Sequence, residues 1–145
     1  MNKYLTLIRH AKSDRSDPSL GDHDRPLNKR GRHDGPIMAK ALKLLPRPDA
    51  VLASTAVRVR ETLTALGYPF SGDYPTPVDY ADLYMAEPED IWDIAYSELA
   101  VADDVWVVAH NPGIAELACR LASLELDNVP TLGTVRFGFD NLPTQ

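Results

Sequence analysis

Apolar residues along the chain follow two alternating rhythms: short unbroken runs, and longer stretches at helical spacing. Tyr4 to Ile8 is an unbroken run, rich in β-formers and with almost no polar face, and reads as a strand buried on both sides. Asp49-Ala50-Val51-Leu52-Ala53 repeats the pattern, and Asp104-Val105-Trp106-Val107-Val108-Ala109 is its strongest instance. Between the runs, apolar positions recur every three or four residues. Ile37, Met38, Ala41, Leu42 and Leu45 mark one helix face; Ala56, Val59, Leu63 and Leu66 mark a second. Ile91, Trp92, Ile94, Ala95 and Leu99 mark a third, and Ile114, Leu117, Ala118 and Leu121 a fourth. Val78 to Leu83 reads as a short edge strand, and Thr134 to Phe139 as a last alternating strand at an edge. Strands alternating with helices predict an α/β fold: a three-layer sandwich, with a mainly parallel central sheet and helices on both faces.

The punctuation agrees with that division. Asn28 is placed to cap the first helix, Ser54 or Thr55 the second, and Asn111 the fourth, with Pro112 in its first turn. Gly35-Pro36 falls inside the first helix and predicts a kink there or two consecutive helices, because proline removes a donor and clashes one turn back. Pro46-Arg47-Pro48 ends that segment, Gly67 closes the second helix, and Glu87-Pro88-Glu89-Asp90 starts the third. No internal repeat, low-complexity tract or linker divides the 145 residues, so a single domain over 1–145 is expected. A chain of this length buries roughly 70% of its unfolded surface.

Composition narrows the function. A formal net charge of −6 argues against a general nucleic-acid binder, whose affinity rests on basic residues neutralising phosphates. Any phosphate site is therefore a local pocket. No apolar run approaches a membrane span, and Met1-Asn2-Lys3 leads into the first strand without a signal-peptide pattern, so a cytoplasmic protein is expected. The single cysteine, Cys119, permits no internal disulfide and reads as a small buried hydrophobe. It does not fit a Cys-x5-Arg nucleophile pattern, because Glu125 stands six residues on. Trp92 and Trp106 read as core.

Three strand ends carry polar groups: Arg9-His10 after the first, Ser54 to Arg60 after the second, and His110-Asn111 after the Trp106 strand. Ligands of open parallel sheets bind at that carboxyl edge. A guanidinium offers a planar fork to phosphate oxygens, and an imidazole beside it can serve as base, metal ligand or nucleophile. Helix starts near the same place favour an anion. The grouping predicts an oxyanion pocket, with phosphate as the best fit. Arg58 and Arg60 project about 200° apart on a helix, so only one of them can grip a given phosphate, and helical geometry does not choose between them.

Arg9-His10-Ala11 after a first strand, Ser54-x-x-x-Arg58-x-x-x-Thr62 after a second, and His110 after a late strand resemble the histidine phosphatase superfamily. The finer pattern is Leu7-Ile8-Arg9-His10-Ala11-Lys12-Ser13-Asp14, then Asp24-Arg25-Pro26-Leu27 with Gly31, then Leu83-Tyr84, then Val108-Ala109-His110-Asn111-Pro112-Gly113. It is similar to the short SixA-type phosphohistidine phosphatases. The resemblance implies a phosphoglycerate mutase-like fold and a metal-independent phosphatase without cofactor. It also implies that His10 becomes a transient phosphohistidine, while Arg9, Arg58 and His110 hold the phosphoryl oxygens and Ser16 adds a further polar contact. It selects Arg58 over Arg60.

Two departures qualify it. The third residue of the usual Arg-His-Gly signature is Ala11, tolerable where the backbone needs no positive φ. Met85 stands where larger relatives carry a proton-donating glutamate, two residues beyond Leu83. An alkoxide leaving group would suffer from that loss, whereas a phosphohistidine leaves as a neutral ring once its other nitrogen is protonated. The expected substrate is accordingly phosphohistidine on a protein, with Asp14, Asp24 and Glu87 as the remaining candidate proton donors. Small phosphorylated metabolites are the alternative substrates, and a non-catalytic phosphoprotein-binding module the alternative function. A rival reading is a metal-dependent phosphohydrolase using Asp22, His23, Asp24, His33 and Asp34, which have the right ligand types but no recognised ligand spacing. On the phosphatase reading His23 and His33 are solvent-exposed, and Asp24 and Arg25 pin the loop from Lys12 to Arg25 by a salt bridge.

Overall fold

The structure, a computed structural model, describes residues 2–122 and 133–142. Five strands form its sheet: β1 (Lys3–Arg9), β2 (Ala50–Ser54), β3 (Val78–Tyr80), β4 (Asp104–Ala109) and β5 (Thr134–Phe139). They lie in the order β3-β2-β4-β1-β5, all parallel except β5, which runs antiparallel to β1 at one edge. Four α-helices cover the faces: α1 (Lys29–Leu42), α2 (Val57–Leu66), α3 (Pro88–Leu99) and α4 (Gly113–Ala122). Alternate residues of the sheet feed two separate cores. Leu5, Leu7, Leu52, Val105 and Val107 pack with Ile91, Ala95 and Leu99 of α3 and Ile114 and Leu117 of α4. Ile8, Val51, Ala53, Trp106 and Val108 pack with Ala39 and Leu42 of α1 and Val59, Leu63 and Leu66 of α2. The three-layer α/β arrangement read from the hydrophobic pattern is the one observed. Glu87 precedes Pro88 at the start of α3, and Gly67 closes α2 with φ 77°.

The first helix differs from its reading. It runs through Gly35-Pro36 as one helix rather than two, with Pro36 on its exposed side, and the expected buried face is not the one formed. Its buried stripe is Gly31, Gly35, Ala39 and Leu42, while Ile37 is 59% exposed. The cause is closeness rather than greasiness. A Cβ at Gly31 would lie 2.2 Å from the Lys12 carbonyl oxygen, and one at Gly35 would lie 2.4 Å from that of Ala65 in α2. Glycine scores as neutral in a hydrophobic count, so the stripe was invisible to it. The Asn28 cap does form, its side chain accepting from Gly31 N at 2.9 Å. The Ser54/Thr55 cap of α2 does not; Ala56 holds the cap position without a side-chain bond.

Gly35→Ala forces a Cβ onto the Ala65 backbone and is expected to cost about 1–3 kcal/mol of stability, exceeding the gain of about 1 kcal/mol in helix propensity. Gly72→Ala, with nothing within 4 Å of the new carbon, is the control. Chemical denaturation of both variants checks this, and equal midpoints would disprove the close approach.

Candidate active site

The site lies where two neighbouring parallel strands send their helices to opposite faces. β1 and β4 pair directly, Arg9 opposite Ala109, and His10 N donates to Ala109 O at 3.1 Å. From β1 the chain continues to α1 in the layer shared with α2; from β4 it continues to α4 in the layer shared with α3. Such a divergence leaves a crevice at the carboxyl ends of the strands. Here the crevice is a cavity of about 120 Å³ whose lining includes Arg9, His10, Arg58 and His110. The rings of His10 and His110 stand 5.1 Å apart between centroids.

The tautomer of His10 follows from its neighbour. Its Nδ1 lies 2.7 Å from the carbonyl oxygen of Ala11, which can only accept, so the proton sits on Nδ1 and the lone pair on Nε2. Burial, opposed by that bond but joined by the charges of Arg58, Arg9 and Arg25, lowers its pKa to about 4. The ring is therefore neutral near pH 7. The backbone behind it is fixed by Thr62, whose Oγ1 accepts from Ala11 N at 2.9 Å and donates to Arg58 O at 2.6 Å.

His110 is held by Ser54, whose Oγ is 2.8 Å from His110 Nε2 and accepts from Ala56 N at 3.3 Å. The Ser54 hydroxyl, already accepting from Ala56 N, uses its own hydrogen when it donates to Nε2, which puts the His110 proton on Nδ1. Nδ1 is buried without a protein partner. A buried donor left open costs free energy unless something else accepts from it, and a bound oxyanion would. Burial, then the charge of Arg58, lowers the His110 pKa to about 3.

Arg58 is 2% exposed, and Arg60, which pairs with Asp79 at 3.5 Å, is 61% exposed. Arg58 donates through Nη1 to Asp22 O at 2.6 Å and through Nη2 to Asp22 Oδ2 at 3.0 Å, and its Nε is buried without a partner. Asp22 also accepts from Nε and Nη2 of Arg25 at 3.1 and 3.0 Å and from the Tyr84 hydroxyl. The Tyr84 bond first, then those to Arg25 and Arg58, hold its carboxyl well below the usual carboxylate range, so it is ionised. Met85, at φ 50°, completes that wall with its Sδ 3.7 Å from Arg58 Nη2.

The fold thus brings together Arg9, His10, Arg58 and His110, and it leaves out Ser16. Ser16 is exposed, its N bound to Asp14 Oδ1 at 2.7 Å in an Asx turn; Ser13 lines the cavity instead. Asp14, Asp24 and Glu87 are not among the lining residues. Arg25 does pin the loop, but through Asp22, Ser13 Oγ at 2.7 Å and Asp14 O at 3.2 Å, while Asp24 faces His23 at 3.6 Å. His23 is half-buried rather than exposed, its Nε2 2.9 Å from Thr55 Oγ1. Cys119 is half-buried as well. Among the described residues no group of three or more His, Cys, Asp or Glu is placed to hold a metal ion. Sequence reasoning named Asp22 only as a metal ligand in the rival reading and missed it as the partner of Arg25 and Arg58, although a carboxylate three positions before Arg25 was a signal available to it.

The sequence profile of the histidine phosphatase superfamily, branch 1, matches residues 5–79. The chain belongs to that superfamily. An uncharacterised protein of Mycobacterium tuberculosis is 40% identical over 123 residues, covering 81% of this chain and 71% of that one. The crystal structure of a protein from Agrobacterium tumefaciens assigned as phosphohistidine phosphatase SixA superposes with a TM-score of 0.81 at 30% identity, over 92% of this chain and 90% of that one. The fold is shared more widely. A mycobacterial glucosyl-3-phosphoglycerate phosphatase superposes with a TM-score of 0.73 at 15% identity, over 95% of this chain and 91% of that one. Phosphatase chemistry follows from membership of the superfamily. No helix among the described residues is long and apolar enough to cross a membrane.

Neutral burial of two imidazoles has a pH signature. The unfolded chain protonates both below their ordinary value of 6.5, whereas the folded chain does so only near 4 and near 3. Stability is therefore full above pH 6.5 and declines as pH falls through that window, by about 3 kcal/mol for His10 alone at the bottom of it. The thermal midpoint is expected to drop steadily between pH 6.5 and 4.5, before carboxylates titrate, and His10→Asn is expected to flatten the slope. An unchanged slope would mean that the ring is not held neutral.

Proposed function

We propose that the protein dephosphorylates phosphohistidine on a protein, through a phosphoryl group carried transiently on His10. The lone pair of His10 Nε2 attacks phosphorus in line with the N–P bond of the substrate. Arg9, Arg58 and His110 Nδ1–H donate to the equatorial oxygens, where charge is densest in the transition state. As the N–P bond breaks, its electrons return to the substrate imidazole, which departs as a neutral ring because its other nitrogen already carries a proton. Water then attacks the phosphorus on His10; the P–N bond breaks with its electrons returning to Nε2, the Nδ1 proton stays in place, and inorganic phosphate leaves carrying the water's protons. The division of labour is economical: phosphoryl transfer needs positioning and charge more than covalent help.

The observation that supports phosphohistidine over a phosphate ester is the state of Asp22. Asp22 alone among the lining residues is a carboxyl group, and Tyr84, Arg25 and Arg58 keep it ionised, so it holds no proton for a leaving alkoxide. Met85 lines the cavity, and the resemblance aligns it with the donor carried by larger relatives. A substrate that brings its own proton does not need one.

Brief exposure to a labelled phosphohistidine peptide, followed by quenching, is expected to leave an acid-labile, base-stable label on His10. His10→Ala is expected to lower phosphate release at least about a thousandfold, and EDTA to leave the wild-type rate unchanged. Sustained turnover with no trapped label would rule out the covalent route. Tight binding of the peptide without turnover would favour a binding module instead.

A further inference from the structure

Charge in the cavity is out of balance once a phosphoryl group is in place. Among the described residues five cations line it, Arg9, Lys12, Arg15, Arg25 and Arg58, against the single carboxylate of Asp22, and both imidazoles are neutral. Arg25 is offset by Asp22 at 3.0 Å. A phosphoryl dianion between Arg9 and Arg58 offsets those two. Lys12 and Arg15 remain. Both are exposed, at the mouth of a cavity whose floor of His10, Arg58 and His110 is buried, and neither side chain is bonded to another described residue. Arg15 lies close enough to Arg9 to lower its pKa, second to the effect of burial.

Unpaired cations on a surface are ordinary when they stand on mobile loops, and these do not. Lys12 O accepts from Asn28 N at 3.0 Å and sits under Gly31, where a Cβ would come within 2.2 Å of it. Ser13 forms an antiparallel bridge with Leu27, and Asp14 N donates to Pro26 O at 2.7 Å. The backbone from Lys12 to Asp14 is thus tied to the segment that leads into α1, and a turn closed by Ser16 N on Asp14 Oδ1 carries Arg15. Two like charges held at one rim cost energy until an anion arrives. In a chain of net charge −6, that concentration also marks the spot toward which an anion is steered.

We infer that Lys12 and Arg15 form a second anion subsite, which selects substrates carrying a carboxylate or a further phosphate close to the transferred phosphoryl group. On the phosphohistidine reading above, on which this choice of source rests, the second anion is an Asp or Glu side chain flanking the modified histidine.

The test compares kcat/KM for phosphohistidine peptides with acidic and with neutral flanks, and for small phosphomonoesters with and without a carboxylate. Wild type is expected to favour the acidic member by about tenfold or more, chiefly through KM, with the preference fading at high salt. The double variant Lys12→Ala/Arg15→Ala is expected to erase that ratio, and Lys12→Arg/Arg15→Lys to keep it. Preference confined to peptides places the second anion on a protein, and preference confined to monoesters places it on a metabolite. A wild type without preference, or a double variant that slows both members equally, overturns the subsite. Turnover of monoesters but of no peptide would defeat the phosphohistidine reading alone. Where neither class is turned over, calorimetric titration with phosphate and pyrophosphate reads the subsite directly: wild type should bind pyrophosphate at least about tenfold more tightly, and the double variant should not.

Discussion

The parallel pairing of β1 with β4 is the constraint on which the rest depends. It sets Arg9 opposite Ala109, so the two residues that follow, His10 and His110, emerge side by side where the chain leaves the sheet in opposite directions. Neither strand is polar enough to signal a site, and neither histidine would be unusual alone. Their adjacency changes the physics. Two imidazoles 5.1 Å apart, among the guanidinium groups of Arg58, Arg9 and Arg25, cannot both be charged, and burial drives them the same way. The pocket is therefore furnished with neutral nitrogens and fixed cations, the combination that suits a nucleophile facing an anion.

Second to that pairing is the counter-charge. Asp22 sits on a short 3-10 turn, Asp22–Asp24, and satisfies Arg25 and Arg58 together. An ion pair half open to water contributes little to stability, but it fixes direction: both Arg58 Nη atoms are turned onto Asp22, leaving Nε as the buried donor with no partner. The same carboxylate cannot orient guanidinium groups and also deliver a proton. Its position limits the leaving groups that the site can serve.

Much of this was legible in the sequence because the strands are unbroken apolar runs and the polar motifs begin where those runs stop. Arg9-His10 and His110 could be placed at strand ends without knowing the sheet order. Arg58 was separable from Arg60 only by resemblance, and burial now separates them physically. Three features escaped for stated reasons. The α1 stripe is built from Gly31 and Gly35, which carry no hydrophobic signal. Asp22 is 36 residues from Arg58, and a loop carboxylate carries no mark of its distant partner. Ser16 stands outside the described cavity lining because Asp14 captures its backbone N–H in a local turn, a short-range Asx geometry that a carry-over by position does not foresee.

The glycine stripe and the cation rim are parts of one device. α1 comes close enough to touch the Lys12 carbonyl only because Gly31 has no side chain, and that contact with the Ser13–Leu27 bridge converts an otherwise loose, polar loop into a fixed rim. Holding like charges near one another costs folding free energy, and Arg15 already lies close enough to Arg9 to lower its pKa, second to the effect of burial. On binding the backbone from Lys12 to Asp14 needs no further ordering, and only the exposed side chains of Lys12 and Arg15 have to settle. On the inferred subsite, a loop whose backbone is already set at Lys12, Ser13 and Asp14 presents its two cations to the second anion of the substrate at a defined place.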